Sequence, residues 1–369
     1  MNPPRALSPK TLKAARIAQS LSLSGLTGRC GISAPTLSRL ESGEREATAD
    51  EVATLAGALG LPAAALCRPL VTEQLGLSGF YHRKLSRTGA KAVRAIESRC
   101  VLDAAPLRDL FDMVGPPGND GLLSIDLDDA KGSPEMAAHM VRLKWQVPRG
   151  PIPDLFALVE AAGCVVIHTD FGVPKVDALY QKAPGLPPIF WVNSTKPLDR
   201  VRFSVAHELG HLVLHEDIPV ECDRAEREAD AFAAAFLMPR SDFRAECPGR
   251  LGVEQLIELK RRWRCSMAAL ARNAHHVGRI TEQQYTNLMI ALSKRGWRTC
   301  EPFGLTPETP TLLARTIRQC LQELEISEEG LADRLAISLG QLKSWRQPFP
   351  GGRPDPQSNE PALRFACGF

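Results

Sequence analysis

The stretch Ser204-Val205-Ala206-His207-Glu208-Leu209-Gly210-His211-Leu212-Val213-Leu214-His215 decides how the rest of the chain folds around it. Its core has the spacing H-E-x-x-H. On an α-helix that spacing sets His207 and His211 one turn apart on one face, with Glu208 beside them. Val205, Leu209, Leu212 and Val213 fall at i, i+4, i+7 and i+8, which predicts an amphipathic helix with its apolar stripe against a core. Two neutral imidazoles at this spacing can hold a divalent zinc ion, and a neighbouring carboxylate outside the ligand set can take a proton from the water it polarises. Peptide hydrolysis needs both parts. Gly210 weakens a helix interior, so its presence predicts another backbone packed close at that point.

A third ligand has to come from elsewhere in the chain. Ala225, Ala229, Phe232, Ala233 and Phe236 outline the apolar face of a second helix running through Leu237-Met238-Pro239. Glu226 and Asp230 stand one turn apart on it. That spacing lets Glu226 reach the metal while Asp230 accepts the outer N–H of a liganding imidazole and fixes its tautomer. Glu228, two positions on, is expected to point away from both. His215 competes as a ligand, but eight residues beyond His207 is a rise of ~12 Å, too far for both rings to meet one ion. It is expected to be structural. His82, His139, His168, His275 and His276 are expected to be surface or packing residues.

Composition bounds the setting. The 369 residues suffice for two or three domains, and 44% apolar with 24% charged residues is ordinary for a globular protein. Ten cysteines without a C-x-x-C pair look like neither a disulfide scaffold nor a zinc ribbon, so reduced thiols in the cytoplasm are expected. The N-terminus has no apolar core of a signal peptide, and no stretch approaches the ~18 apolar residues of a membrane span. The net charge of +3 is too small to argue for nucleic acid by itself. Between residues 71 and 100, however, six Lys and Arg face two Glu.

From Pro9 to Pro69, breaks at Gly31, Gly43 and Gly60 outline about five short helices. Ser33 can cap a helix over Ala34–Ser42, with Pro35 in its first turn. A short helix precedes it across Gly31-Ile32-Ser33, which is helix-turn-helix spacing. The run from Cys30 to Gly43, with Ala56-Gly57-Ala58-Leu59-Gly60-Leu61, resembles the XRE/Cro-type repressor domains. The resemblance implies that the positions of Ala34, Pro35 and Arg39 face base edges and that those near Ser42 meet phosphate. Arg39 is the side chain there able to read guanine bidentately, and Thr36 and Ser42 complete the expected DNA-contacting set. The preceding helix departs from the family pattern, with Leu23, Gly25 and Gly28 inside it.

The domain boundaries expected are 1–70 for the helix-turn-helix unit, 71–132 for a basic helical segment and linker, and 133–315 for the metal-binding domain. Ser133 can cap a helix, a second opens after Pro151-Ile152-Pro153, and Cys164–His168 and Ile189–Asn193 read as strands ahead of the metal helix. Strand 189–193 is a candidate edge for pairing with extended substrate, and a plain core strand is the competing reading. The fold class expected is mainly α, with a small α+β zincin-like peptidase core, an N-terminal all-α helix-turn-helix domain and a helical C-terminal region.

The run Arg202 to His211, then Glu226-x-Glu228-Ala229-Asp230-x-Phe232-Ala233 and Leu237-Met238-Pro239, is similar to the ImmA/IrrE family of zinc metallo-endopeptidases, in the subgroup fused to an N-terminal XRE domain. Leu259–Leu270 and Gly296–Pro302 also fit that subgroup. The resemblance covers most of residues 10 to 315. It implies a peptidase of narrow specificity that cleaves a DNA-binding repressor, derepressing genes of a mobile element, defence system or stress response. The family usually has Asn where this chain has Asp230. Zinc is the expected metal, with Mn2+ as another divalent ion the site admits.

Toward the end, Ile326–Ser338 aligns without a gap on Leu21–Ser33 and reads as a second helix-turn-helix within 316–347, with Ser338 and Gln341 as a capping box. Its thin basic charge favours docking on the peptidase or a partner over DNA contact. Residues 348–369 form a tail rich in Pro and Gly, expected to be mobile. The partners expected are a repressor substrate and DNA through the N-terminal unit, with no membrane; the sequence admits a homodimer. Tyr180 and Arg202 are named for the oxyanion only because they lie near in sequence and can donate. Two rivals stay open: a DNA-binding transcriptional regulator with a silent sensor domain, and an antitoxin-like binding module.

Overall fold

A computed structural model describes residues 6–70, 90–118, 121–172, 176–215, 222–298 and 300–350. The basic cluster Arg83, Lys84 and Arg87, His82, and the tail beyond residue 350 lie outside them. The N-terminal unit has the five expected helices: α1 (Pro9–Ala18), α2 (Leu23–Cys30), α3 (Ala34–Ser42), α4 (Ala49–Leu59) and α5 (Ala63–Leu66). Ser8, Ser22, Ser33 and Thr48 cap the first four. Gly31 turns α2 into α3 at φ 72°, a left-handed conformation that costs glycine nothing. Leu12, Leu26, Leu37, Leu40 and Leu55 form its closed core, and Arg16 on α1 holds Glu41 on α3 at 2.6 Å.

The helix α6 (Ala90–Val114) lies within 71–132, the stretch expected as a basic helical segment and linker. Its face of Ile96, Cys100, Leu107, Leu110 and Phe111 is buried in a core of its own. Ile125, Leu127 and Ala130 enter the metal helix's core, so the acidic stretch is packed structure too.

Helices α7 (Pro134–Lys144) and α8 (Leu155–Ala161), capped by Ser133 and Asp154, precede a sheet of β1 (Val165–Thr169), β2 (Ala178–Gln181) and β3 (Ile189–Asn193). The sheet order is β1-β3-β2, with β1 parallel and β2 antiparallel to β3. Strand β3 is therefore central, paired on both sides and wholly buried, and it has no edge to offer a substrate. The edge beside it is β2, hidden in the sequence because it is four residues long and follows a turn-rich stretch. Alternation divides the sheet. Val166, Tyr180, Phe190 and Val192 face the core of α9 (Leu198–Leu214), whereas Val165, Ile167, Leu179 and Trp191 face α6.

Helix α10 (Cys222–Leu237) crosses α9 closely, and α11 (Arg240–Glu246), α12 (Val253–Trp263), α13 (Met267–His276) and α14 (Glu282–Lys294) complete the α9 side. The C-terminal helices α15 (Leu312–Glu323), α16 (Glu328–Leu335) and α17 (Leu339–Ser344) pack with α6 behind the sheet. Ser338 caps α17, but Gln341 donates to Asp103 of α6 at 2.6 Å instead of closing the expected box. Leu342 and Trp345 are buried in the core shared with α6. No disulfide joins the cysteines whose side chains are described, and among the described residues no helix is long and apolar enough to cross a membrane.

Candidate metal centre

Helix α9 presents His207, Glu208 and His211 deep in the fold, each at most 3% exposed. What brings α10 to them is Gly210. A Cβ there would lie 3.1 Å from Ala229 Cα and 3.2 Å from Phe232 Cδ1, so the two backbones touch where the sequence placed a close approach. The crossing sets Glu226 over the two imidazoles. His207 Nε2 and His211 Nε2 are 3.1 Å apart, and the Glu226 carboxylate lies 3.6 Å from the first and 3.4 Å from the second. Among the described residues this is the group of His, Cys, Asp and Glu side chains able to hold a metal ion.

The spacing is a test of fit. Bonds of about 2.0 to 2.1 Å at a tetrahedral angle put donor atoms about 3.3 Å apart. The outer nitrogens argue the same way. His207 Nδ1 lies 2.8 Å from Asp230 Oδ1, so it carries the proton and leaves Nε2 as a bare lone pair. His211 Nδ1 lies 3.0 Å from His215 Nδ1, and His215 Nε2 lies 3.0 Å from Glu228, whose other oxygen accepts from Arg224 at 2.6 Å. A carboxylate accepts only, so His215 donates from Nε2 and its Nδ1 must accept from His211. His211 Nε2 then turns its lone pair toward His207 and Glu226. Two ring-nitrogen lone pairs and a carboxylate converge, and a divalent cation suits that donor set.

His215 is thus outside the ligand set, as its distance along the helix required, but it is more than a packing residue. Burial holds its pKa down at about 4, with Glu228 opposing the shift, so the ring is neutral at physiological pH. Glu228, expected to point away, is the terminus of this relay. One signal could have found it: His215 is four residues beyond His211 and so on the same helix face.

Glu208 Oε2 is buried and has no hydrogen-bond partner among the described residues. Of the two side chains named for the oxyanion, Arg202 is fully buried and spent on Glu308 and the carbonyl of Ile152, and Tyr180 packs on Phe190. His139, His168, His275 and His276 lie away from the ligand cluster, as expected. The centre opens toward α10, where Glu226 and Asp230 are 20% and 50% exposed. A groove of about 2030 Å3 is lined by Ser204 of α9 and Asp230 of α10, next to the cluster, but not by His207, Glu208, His211 or Glu226 themselves.

The comparison with family models bears on this geometry. Residues 159–275 match the IrrE N-terminal-like domain, a metallopeptidase family. The IrrE-like stretch holds the sheet, the metal helix, α10 and most of α13. Residues 12–66 match a helix-turn-helix model, so the fused architecture expected from the sequence is present. A comparison with curated proteins found no match. On the helix-turn-helix unit, Arg39 and Ser42 are exposed on α3, and Arg39 has no ion pair or side-chain hydrogen bond among the described residues. Thr36 is half-buried and shares its hydroxyl with the Ser33 cap at 2.9 Å, so it serves the helix start first.

Proposed function

We propose that the chain is a zinc-dependent endopeptidase of narrow specificity that cuts a DNA-binding repressor and so derepresses the genes it controls. The observation that carries the reading is the convergence of His207, His211 and Glu226 around one point, with Glu208 buried and unpartnered beside them. Zinc held by those three side chains would supply Lewis acidity toward a peptide carbonyl and toward water. The chain's own residues do the rest. Asp230 and the His215–Glu228 pair hold the two imidazoles in the ligating tautomer, and Glu208 takes a proton from the attacking water and returns it to the leaving amine. The open side at Glu226 and Asp230 admits the substrate along the groove.

The helix-turn-helix unit fits this role by bringing the peptidase to where a repressor sits. Its α3 is free on the outer side, and Arg39 is the side chain fitted to guanine. The test is incubation of the zinc-loaded chain and its Glu208→Ala variant with the repressors encoded near its gene. Cleavage by the first and not the second is the expected result, with equal metal content in both. Equal products from the two at every metal loading would remove the enzyme from this reading. A gel shift on the chain's own promoter tests the other half: Arg39→Ala is expected to weaken specific binding by about 1–3 kcal/mol.

A further inference from the structure

Resting on the peptidase reading, we infer that the groove beside the metal centre takes an acidic segment of the substrate, held by Arg240, Arg272 and Arg298 with Asn273. At about 2030 Å3 the groove exceeds the ~300–1,000 Å3 of a small-molecule site and suits an extended polypeptide. Its charges are unequally committed. Among the carboxylates lining it, Asp199 and Glu301 hold Lys260, Asp177 holds Lys196 and Arg200, Asp230 accepts from His207, and Glu135 accepts from Ser133 near His276. Arg244 donates to the carbonyl of Val277. Arg240, Arg272 and Arg298 line the same groove, are exposed, and their side chains have no ion pair or hydrogen bond among the described residues.

One wall of the groove sharpens the inference. On α13, Ala268, Ala269, Arg272, Asn273 and His276 line it together, at the spacing of a single helix face. Asn273 is 5% exposed and its Nδ2 is buried without an acceptor. A buried amide donor left unpaired costs about 1–3 kcal/mol, and a turn of the Asn273 side chain toward the groove would bring that donor to a carboxylate or carbonyl oxygen of a ligand. Guanidinium groups match a carboxylate with two parallel N–H bonds, so glutamate and aspartate side chains are the fitting partners. Phosphate shares that chemistry, but the groove also offers Phe203, Ala234, Met238 and Leu305, and Asp230 at its start repels a polyanion. A peptide with acidic side chains on an otherwise apolar backbone meets both demands.

The test uses the full chain carrying Glu208→Ala, so that nothing is cut, and fluorescence anisotropy with three probes: a glutamate-rich peptide, its glutamine-rich counterpart and an oligothymidine strand. The glutamate peptide is expected to bind at least about fivefold tighter than the glutamine one, the worth of one good exposed ion pair. That preference should shrink as salt rises and vanish in Arg272→Glu combined with Arg298→Glu, exposed positions whose change leaves the fold intact by thermal melting. Equal binding of the two peptides, no binding of either, or displacement of the glutamate peptide by the strand would overturn the inference. Cleavage by the chain with Glu208 intact separates it from the reading beneath. Repressor cutting that is unchanged by Arg272→Glu with Arg298→Glu sinks the acidic preference alone, and acidic binding with the repressor left uncut sinks the peptidase alone.

Discussion

At the scale of single residues, the metal centre is built with unequal supports. His207 leans on one carboxylate, half exposed, while His211 leans on a buried neutral ring that leans on Glu228 in turn. Outer partners of ligating histidines are worth about 10–100-fold in metal affinity. His215→Ala and Glu228→Gln are therefore expected to loosen zinc by that order, read by competition with a chelating dye, while the metal-free chain melts nearly as before. Unchanged zinc affinity in both variants would show that the relay only packs. Asp230→Asn is expected to cost less, because the amide oxygen still accepts from His207. The placing of His207 with His211, and of Glu226 with Asp230, one turn apart along their own helices was legible from helical periodicity. The His215–Glu228 contact was not, since it depends on how two helices cross, which no single periodicity contains.

Among the elements, the crossing of α9 and α10 is the part on which the centre depends. Gly210→Ala would raise intrinsic helix propensity by about 1 kcal/mol, yet its Cβ would press on the Ala229 backbone at 3.1 Å. Overpacking of this kind costs about 1–3 kcal/mol, so the variant is expected to melt lower. It should also bind zinc more weakly, because Glu226 and Asp230 travel with the displaced helix; a higher melting temperature would refute the account. Gly210 announced that contact in the sequence, as the caps Ser33, Ser133 and Ser338 announced their helices. Strand β2 and the burial of α6 were hidden for a different reason. A four-residue strand is too short to show alternation, and a charged helix shows its inner face only once a sheet is there to cover it.

Over the whole molecule, the two cores meet back to back across one sheet, and α6 is the plate to which the outer units are fastened. Helix α1 lies along it, Arg68 at the end of the helix-turn-helix unit pairs with Asp109 and donates to the carbonyl of Leu335, and Gln341 reaches Asp103. Burial pushes the Asp103 carboxyl up to about 7, with the Gln341 bond and Arg99 opposing. Between the ordinary carboxylate pKa of about 3.9 and about 7, the folded chain keeps a proton that the unfolded chain has lost, so stability falls as pH rises through that window. Asp103→Asn is expected to melt higher than the parent near pH 8 and with it only below about pH 4, under the unfolded carboxyl's pKa; equal melting at both would show the carboxyl carries no charge penalty. Arg68 has a further consequence. A hand bolted at the wrist has no free aim: under the proposed reading, wherever α3 were set down on a double helix the groove would face one bearing, and the target within its reach would be whatever sits on that side at that distance.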